Sequence, residues 1–206
     1  MQARTRSVTE RARREQIVAA AIEVLARDGH AATTFTRIAR HAGLSSTGMI
    51  SYHFADKQEL LAEVLATTAR VAGEHMRPRI EAGPGHRARL RARIESNVEL
   101  LTVAPSHLRA LREVLAATAE ADRDAEGDPA GLVARVSTLE DGLRAGQRDG
   151  AFGAFDPAVM ALAVTGAIDA LVAVPLADPD AVRHRARELA DVFDRATAPT
   201  LAGEPR

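Results

Sequence analysis

The stretch Gly43-Leu-Ser-Ser-Thr-Gly-Met-Ile-Ser-Tyr-His-Phe-Ala-Asp-Lys57 contains the only Tyr and the only Lys of the 206-residue chain. It follows a short amphipathic run, Thr34 to His41, in which Phe35, Ile38, Ala39 and Ala42 recur at helical spacing. Thr34 can cap that run, and Gly43 can end it by taking backbone angles that other residues resist. Leu44 is an apolar plug for the turn, and a second short helix is expected over Ser46 to Phe54. Two short helices joined through Gly43-Leu-Ser make a helix-turn-helix.

Such a motif lays its second helix in the major groove, with its N-terminal residues near base edges. Here that end is Ser46, Thr47, Gly48 and Met49, mostly small side chains that permit close approach. Hydroxyls contact bases or phosphates, and a Met side chain packs on a thymine methyl. Ser51, Tyr52, His53 and Lys57 supply further groups for phosphate oxygens. Lys57 stands in the first turn of the next helix, where a cation is unfavourable unless an anion is also present. Thr34 and Arg37 are placed to grip the same backbone, and Arg4, Arg6, Arg11, Arg13 and Arg14 suggest a mobile basic arm.

Charge supports this division. Residues 1–57 carry nine basic and five acidic side chains, so a front of net +4 precedes a body of net −5. A basic front on an acidic body points to a polyanionic partner for the front alone.

Outward from the motif the pattern is helical almost throughout, with no convincing alternation and no internal repeat. Ser7-Val-Thr-Glu10 reads as a capping box for a first helix that Gly29 ends. Asp56-Lys-Gln-Glu59 opens a long fourth helix reaching Pro78. Gly83-Pro84-Gly85 is a break, and Pro105 ends the fifth helix. After the acidic stretch 122–130, Asp128-Pro129, Asp156-Pro157 and Asp178-Pro179 announce three more helices, about 129–149, 157–174 and 179–197. Gly150-Ala-Phe-Gly-Ala-Phe155 is a turn with two apolar anchors. The expected fold is all-α, about nine helices: a helix-turn-helix DNA-binding domain over residues 1–55 and a larger helical body over 56–206.

Several classes fall away. With no Cys there are no disulfides, thiolate metal sites or cysteine nucleophiles, which fits a reducing cytoplasm. The start has no apolar core of a secretory signal. Ala158 to Ala177 is long and apolar, but Asp169 near its middle would cost roughly 2.5–3.5 kcal/mol in a bilayer. The seven His residues form no metal-protease or di-iron pattern, and there is no phosphate-binding glycine loop. Neither an enzyme, a cofactor nor a metal is expected.

The block Ile17…Ala20-Ala21…Gly29…Thr33-Thr34…Ile38-Ala39…Ala42-Gly43-Leu44-Ser45…Gly48…Ile50-Ser-Tyr-His-Phe54…Lys57…Leu60 resembles the N-terminal DNA-binding domain of the tetracycline-repressor (TetR) family. That resemblance implies a homodimeric repressor on a palindromic operator. It also implies central helices that enclose a small effector and last two helices that pair with their copies. The chain departs from the family pattern in two places. Ser51 stands where Tyr is usual, with Tyr52 next, and the turn Ser45-Ser-Thr-Gly48 is one residue longer than the commonest spacing.

Residues 157–174 present Ala158, Ala161, Ala163, Gly166, Ala167, Ala170 and Ala173 over most of the helix surface, a face suited to a two-fold contact. For the effector, polar residues on apolar faces are the pointers: Thr68, His75, Asn97, Arg112 and Thr138. With few aromatic rings in the body, an aliphatic or amphipathic effector is expected rather than a flat cation. A helical ligand-binding or scaffolding dimer without sequence-specific DNA binding remains the alternative, and activation stays open beside repression.

Overall fold

The computed structural model describes residues 8–121, 132–174 and 178–199. Among them are nine α-helices and no strand: α1 (Val8–Ala32), α2 (Phe35–His41), α3 (Gly48–His53), α4 (Lys57–Glu81), α5 (His86–Val103), α6 (Pro105–Ala121), α7 (Leu132–Arg148), α8 (Pro157–Ala173) and α9 (Pro179–Ala196). They fall into two compact units, residues 1–71 with 105–126, and residues 72–104 with 127–206. Packing thus divides the chain differently from a cut at 55/56: the front of α4 and all of α6 join the N-terminal helices.

The first unit is built on α1. Ile17, Ala20, Ala21, Val24 and Leu25 are buried, as their spacing requires, together with Ile38 and Ala39 of α2, Ile50 of α3 and Leu60, Leu61 and Val64 of α4. α6 lies along α1 and adds Ala110 and Val114 to the same core. At Gly29 the α1 backbone leaves the helix, with φ 79° and ψ 170°. There a Cβ would meet a carboxylate oxygen of Glu113 at 3.0 Å. Glu113 accepts the His30 backbone N–H at 3.1 Å, and Thr33 Oγ1 donates to the Gly29 carbonyl at 2.7 Å.

The start of α4 follows its sequence signal. The Glu59 N–H donates to Asp56 Oδ1 at 2.8 Å, and the Glu59 carboxylate reaches back to the Ala55 N–H at 2.8 Å. One expected stop is corrected. α4 passes through Pro78 to Glu81, because a proline near a helix end sacrifices one hydrogen bond while its φ remains helical. α5 ends at Val103, just before Pro105 as expected, and Pro105 also opens α6, since the first helical position needs no N–H partner.

In the second unit Asp156 caps α8, accepting the N–H groups of Ala158 and Val159, and Asp178 caps α9, accepting that of Asp180. Pro157 and Pro179 follow each cap as read from sequence. The Asp128-Pro129 start and the Ser7 cap lie outside the described residues. Leu90 and Ile94 of α5, Leu139 and Leu143 of α7, Val164 and Ile168 of α8 and Phe193 of α9 form the core, with Phe152 from the intervening turn. Gly146 is required there: a Cβ would lie 2.3 Å from the Phe152 ring. Ion pairs Arg87–Asp194 (2.8 Å) and Arg91–Asp191 join α5 to α9, and Arg135–Asp169 (2.6 Å) joins α7 to α8. Among the described residues no helix is long and apolar enough to cross a membrane.

Candidate nucleic-acid interface

Thr34 caps α2 with its hydroxyl, which accepts the Arg37 N–H at 3.3 Å. At the other end the Leu44 N–H donates to Ala39 at 2.8 Å and the Gly43 N–H to Arg40 at 3.3 Å, while Gly43 takes φ 66°. This paired closure is the Schellman arrangement, and it sets the direction of the chain into the turn. Gln16 of α1 donates to the Ala42 carbonyl at 2.7 Å and fixes the turn from outside.

The α3 helix is held by one edge. Ile50 is fully buried and Phe54 is 1% exposed, and their four-residue spacing leaves the opposite edge outside. Ser46, Thr47, Gly48, Met49, Ser51 and Tyr52 are all exposed. Tyr52, at 73% exposure, keeps its ring out of the core. Its hydroxyl donates to Glu10 of α1 at 3.2 Å, and the half-buried His53 ring meets it edge-on with centroids 5.1 Å apart.

Beneath this edge is Arg14. Its guanidinium lies 4.1 Å from the centre of the Phe54 ring, donates to the His53 carbonyl at 2.7 Å, and pairs with Glu63 (2.7 Å) and Glu59 (3.5 Å). Arg11, Arg13 and Arg14 are therefore helical residues of α1, which corrects their placement in a mobile arm. Arg4 and Arg6 lie outside the described residues. Thr34 and Arg37 are exposed on α2, the latter 3.5 Å from Asp28.

Lys57 has an acceptor that sequence reasoning did not foresee. Its ammonium donates to the His30 carbonyl at 2.9 Å, and partial burial lowers its pKa. The cation in the first turn of α4 is thus held by main chain at the end of α1. Two of its three N–H donors remain.

The polar groups considered for an effector divide between the units. In the first unit Thr68 is buried with Oγ1 unpartnered, and Arg112 is exposed on α6. In the second, His75 Nε2 is buried 3.3 Å from a Glu99 carboxylate oxygen but outside hydrogen-bonding geometry, Asn97 is half-buried, and Thr138 is exposed. The Thr138 hydroxyl donates to the Ala134 carbonyl of its own helix at 2.8 Å, so it is not aimed into a core. An open cleft of about 650 Å³ beside Phe152, Phe155 and Pro199 is lined by none of the five. Among the described residues no three metal-ligating side chains gather.

With this geometry in place the comparisons are specific. Residues 17–64 match the family model described as bacterial regulatory proteins, tetR family. Over that segment the chain is similar to the DNA-binding part of the TetR family. An HTH-type transcriptional regulator, BetI of Stenotrophomonas maltophilia, is 36% identical over 91 residues, 44% of this chain and 46% of that protein. The chain thus matches less than half the length of this relative. A tetR-family regulatory protein from Rhodococcus RHA1 superposes with TM-score 0.71 at 23% identity, over 92% of this chain and 98% of that one. The ketosteroid transcriptional regulator KstR2 of Mycobacterium tuberculosis gives 0.70 at 17%, over 97% and 98%. AibR, in complex with isovaleryl coenzyme A and operator DNA, gives 0.66 at 18%, over 92% and 100%. At these identities the structural likenesses establish a shared fold.

The TetR match at 17–64 coincides with the residues that build and brace α3. Two participants were not among the sequence candidates. Gln16 supports the motif from α1, and Arg40 adds an exposed cation to α2 beside Arg37. Arg40 carried a signal, its place in the basic count; the role of Gln16, like the seat of Arg14, depends on how α1 crosses the motif.

Proposed function

We propose that this chain is a TetR-family DNA-binding transcriptional regulator, a cytoplasmic repressor released from a palindromic operator by a small molecule. The observation that carries the reading is the outward edge of α3. Its exposed groups need no internal partner for folding, while Ile50 and Phe54 hold the helix rigidly. Ser46, Thr47, Gly48 and Met49 approach base edges. Thr34, Arg37, Ser51, Tyr52, His53 and Lys57 hold phosphates on either side.

A homodimer through α8 and α9 accompanies this reading. Val159, Leu162, Ala163, Gly166 and Ala170 form an exposed apolar stripe on α8, and Val192 is exposed on α9. Such a stripe is self-complementary about a two-fold axis. Pairing would set two copies of α3 about 34–36 Å apart, the separation of successive major grooves. An aliphatic or amphipathic effector favouring another spacing would release DNA with about 1–3 kcal/mol of coupling. Thr68 and His75, each with a buried unpartnered atom on α4, are candidate effector contacts.

Gel retention with DNA from upstream of the protein's own gene tests this. A two-fold footprint and a steep fall in affinity with salt are expected. Salt-insensitive or footprint-free binding would favour the scaffolding dimer.

A further inference from the structure

The α3 helix spans six residues, too few to hold a helical course by themselves. Two side chains seat it, Ile50 within the helix and Phe54 just past its end. Helical geometry places Ile50. Phe54 has extended backbone, φ −136° and ψ 124°, so the position of its ring depends on groups outside α3.

Arg14 of α1 meets each part of this exit. Its guanidinium lies 4.1 Å from the centre of the Phe54 ring. One nitrogen donates to the His53 carbonyl at 2.7 Å, in the last turn, where helical partners run out. The other pairs with Glu63 at 2.7 Å, and Glu59 lies 3.5 Å away. Glu59 in turn accepts the Ala55 N–H at 2.8 Å. Residues 53, 54 and 55 are thus fixed in succession by one cation and its carboxylates.

These contacts are directional. A guanidinium offers a flat face to a ring and a fork of N–H groups in its own plane, so ring, carbonyl and carboxylates together define one orientation. Arg14 is also enclosed, with its side chain 16% exposed between two carboxylates. A phosphate would find its charge already neutralised. Its place is behind the interface.

We infer that Arg14 is the positioning residue of the DNA interface: it fixes the exit of α3 against α1 and α4, and with it the aim of residues 46–52 at the bases. This rests on the reading of α3 as the helix that meets DNA and adds the residue that sets its orientation. Without Arg14, α3 forms but turns about Ile50. Non-specific attraction to a duplex, which depends on charge and not on orientation, is kept.

The chain carries its own probe. Tyr52 is its only Tyr and there is no Trp, so tyrosine emission reports α3 alone. Time-resolved anisotropy of the full-length protein without DNA should decay faster in Arg14→Met than in the parent, with Arg14→Lys between them. Gel retention then compares the duplex upstream of the protein's own gene with a scrambled duplex of equal length. Arg14→Met should lose roughly ten- to a hundredfold on the first, the scale of one or two base contacts, and little on the second. The salt slope on the scrambled duplex should not change. Circular dichroism verifies folding, and if Arg14→Met does not fold, Arg14→Lys is judged by the same measurements. Parental anisotropy or parental discrimination in the folded variant overturns the inference. So does equal weakening on both duplexes, or a salt slope smaller by about one, the mark of a lost phosphate contact. A parent protein that retains neither duplex, with anisotropy still sensitive to Arg14, would sink the regulatory reading and leave the bracing of α3 standing.

Discussion

The Lys57 ammonium donates to the main-chain carbonyl of His30 at 2.9 Å, while the Glu113 carboxylate accepts the N–H of that same residue at 3.1 Å. One peptide segment at the end of α1 is thereby held by the first turn of α4 and by α6. Replacing Lys57 by Met should destabilise the protein by about 1–2 kcal/mol, the scale of a partly exposed charged hydrogen bond. Urea unfolding gives the value. An unchanged midpoint would mean that the contact contributes nothing and that Lys57 serves DNA alone.

Tyr52→Phe should behave in the opposite way. The hydroxyl makes an exposed hydrogen bond to Glu10, so stability should stay within about 0.5 kcal/mol while operator retention falls several-fold. Running both variants through unfolding and gel retention separates bracing from contact. Equal retention by Tyr52→Phe and the parent protein would remove Tyr52 from the interface.

Two glycines predict different penalties under the same substitution. At Gly43 a Cβ meets no atom within 4 Å, so Gly43→Ala loses only the freedom to hold φ 66°, about 1 kcal/mol. At Gly146 the Cβ would overlap the Phe152 ring, and Gly146→Ala should cost about 1–3 kcal/mol by overpacking. Denaturation midpoints order the two.

Leu162→Arg places a charge in the exposed stripe of α8. Sedimentation should then show a monomer with unchanged helical circular dichroism, and operator retention should be lost with pairing. A dimer that survives this change and Gly166→Arg would place the contact elsewhere.

Acid should weaken the protein through two imidazoles. His30 has its pKa lowered by burial and then by the Lys57 ammonium. His107 is lowered by burial, with Glu23 opposing and Arg70 assisting. In the interval below the ordinary value of 6.5 the unfolded chain therefore binds more protons than the folded one. Stability is complete above that interval and declines as pH falls through it. Unfolding midpoints at neutral and mildly acid pH should show the decline, and His107→Gln should shallow it.

What the sequence determined by itself was local. The spacing of Ile17, Ala20, Ala21, Val24 and Leu25 marks the core face of α1, Gly43 permits the turn, and two Asp-Pro pairs cap α8 and α9. Each depends on residues a few positions apart, whose geometry the backbone dictates. Pro78 was misread as a stop because a proline's effect depends on where in a helix it stands, whereas Pro105 both follows the end of α5 and opens α6.

Tertiary structure decided the rest. The packing of α6 along α1, the seat of Arg14 under Phe54 and the His30 acceptor of Lys57 all join residues far apart in the chain. Periodicity shows that a helix has a buried face. Which side chain stands opposite a charge, and whether it is a partner, follows only when the helices have packed.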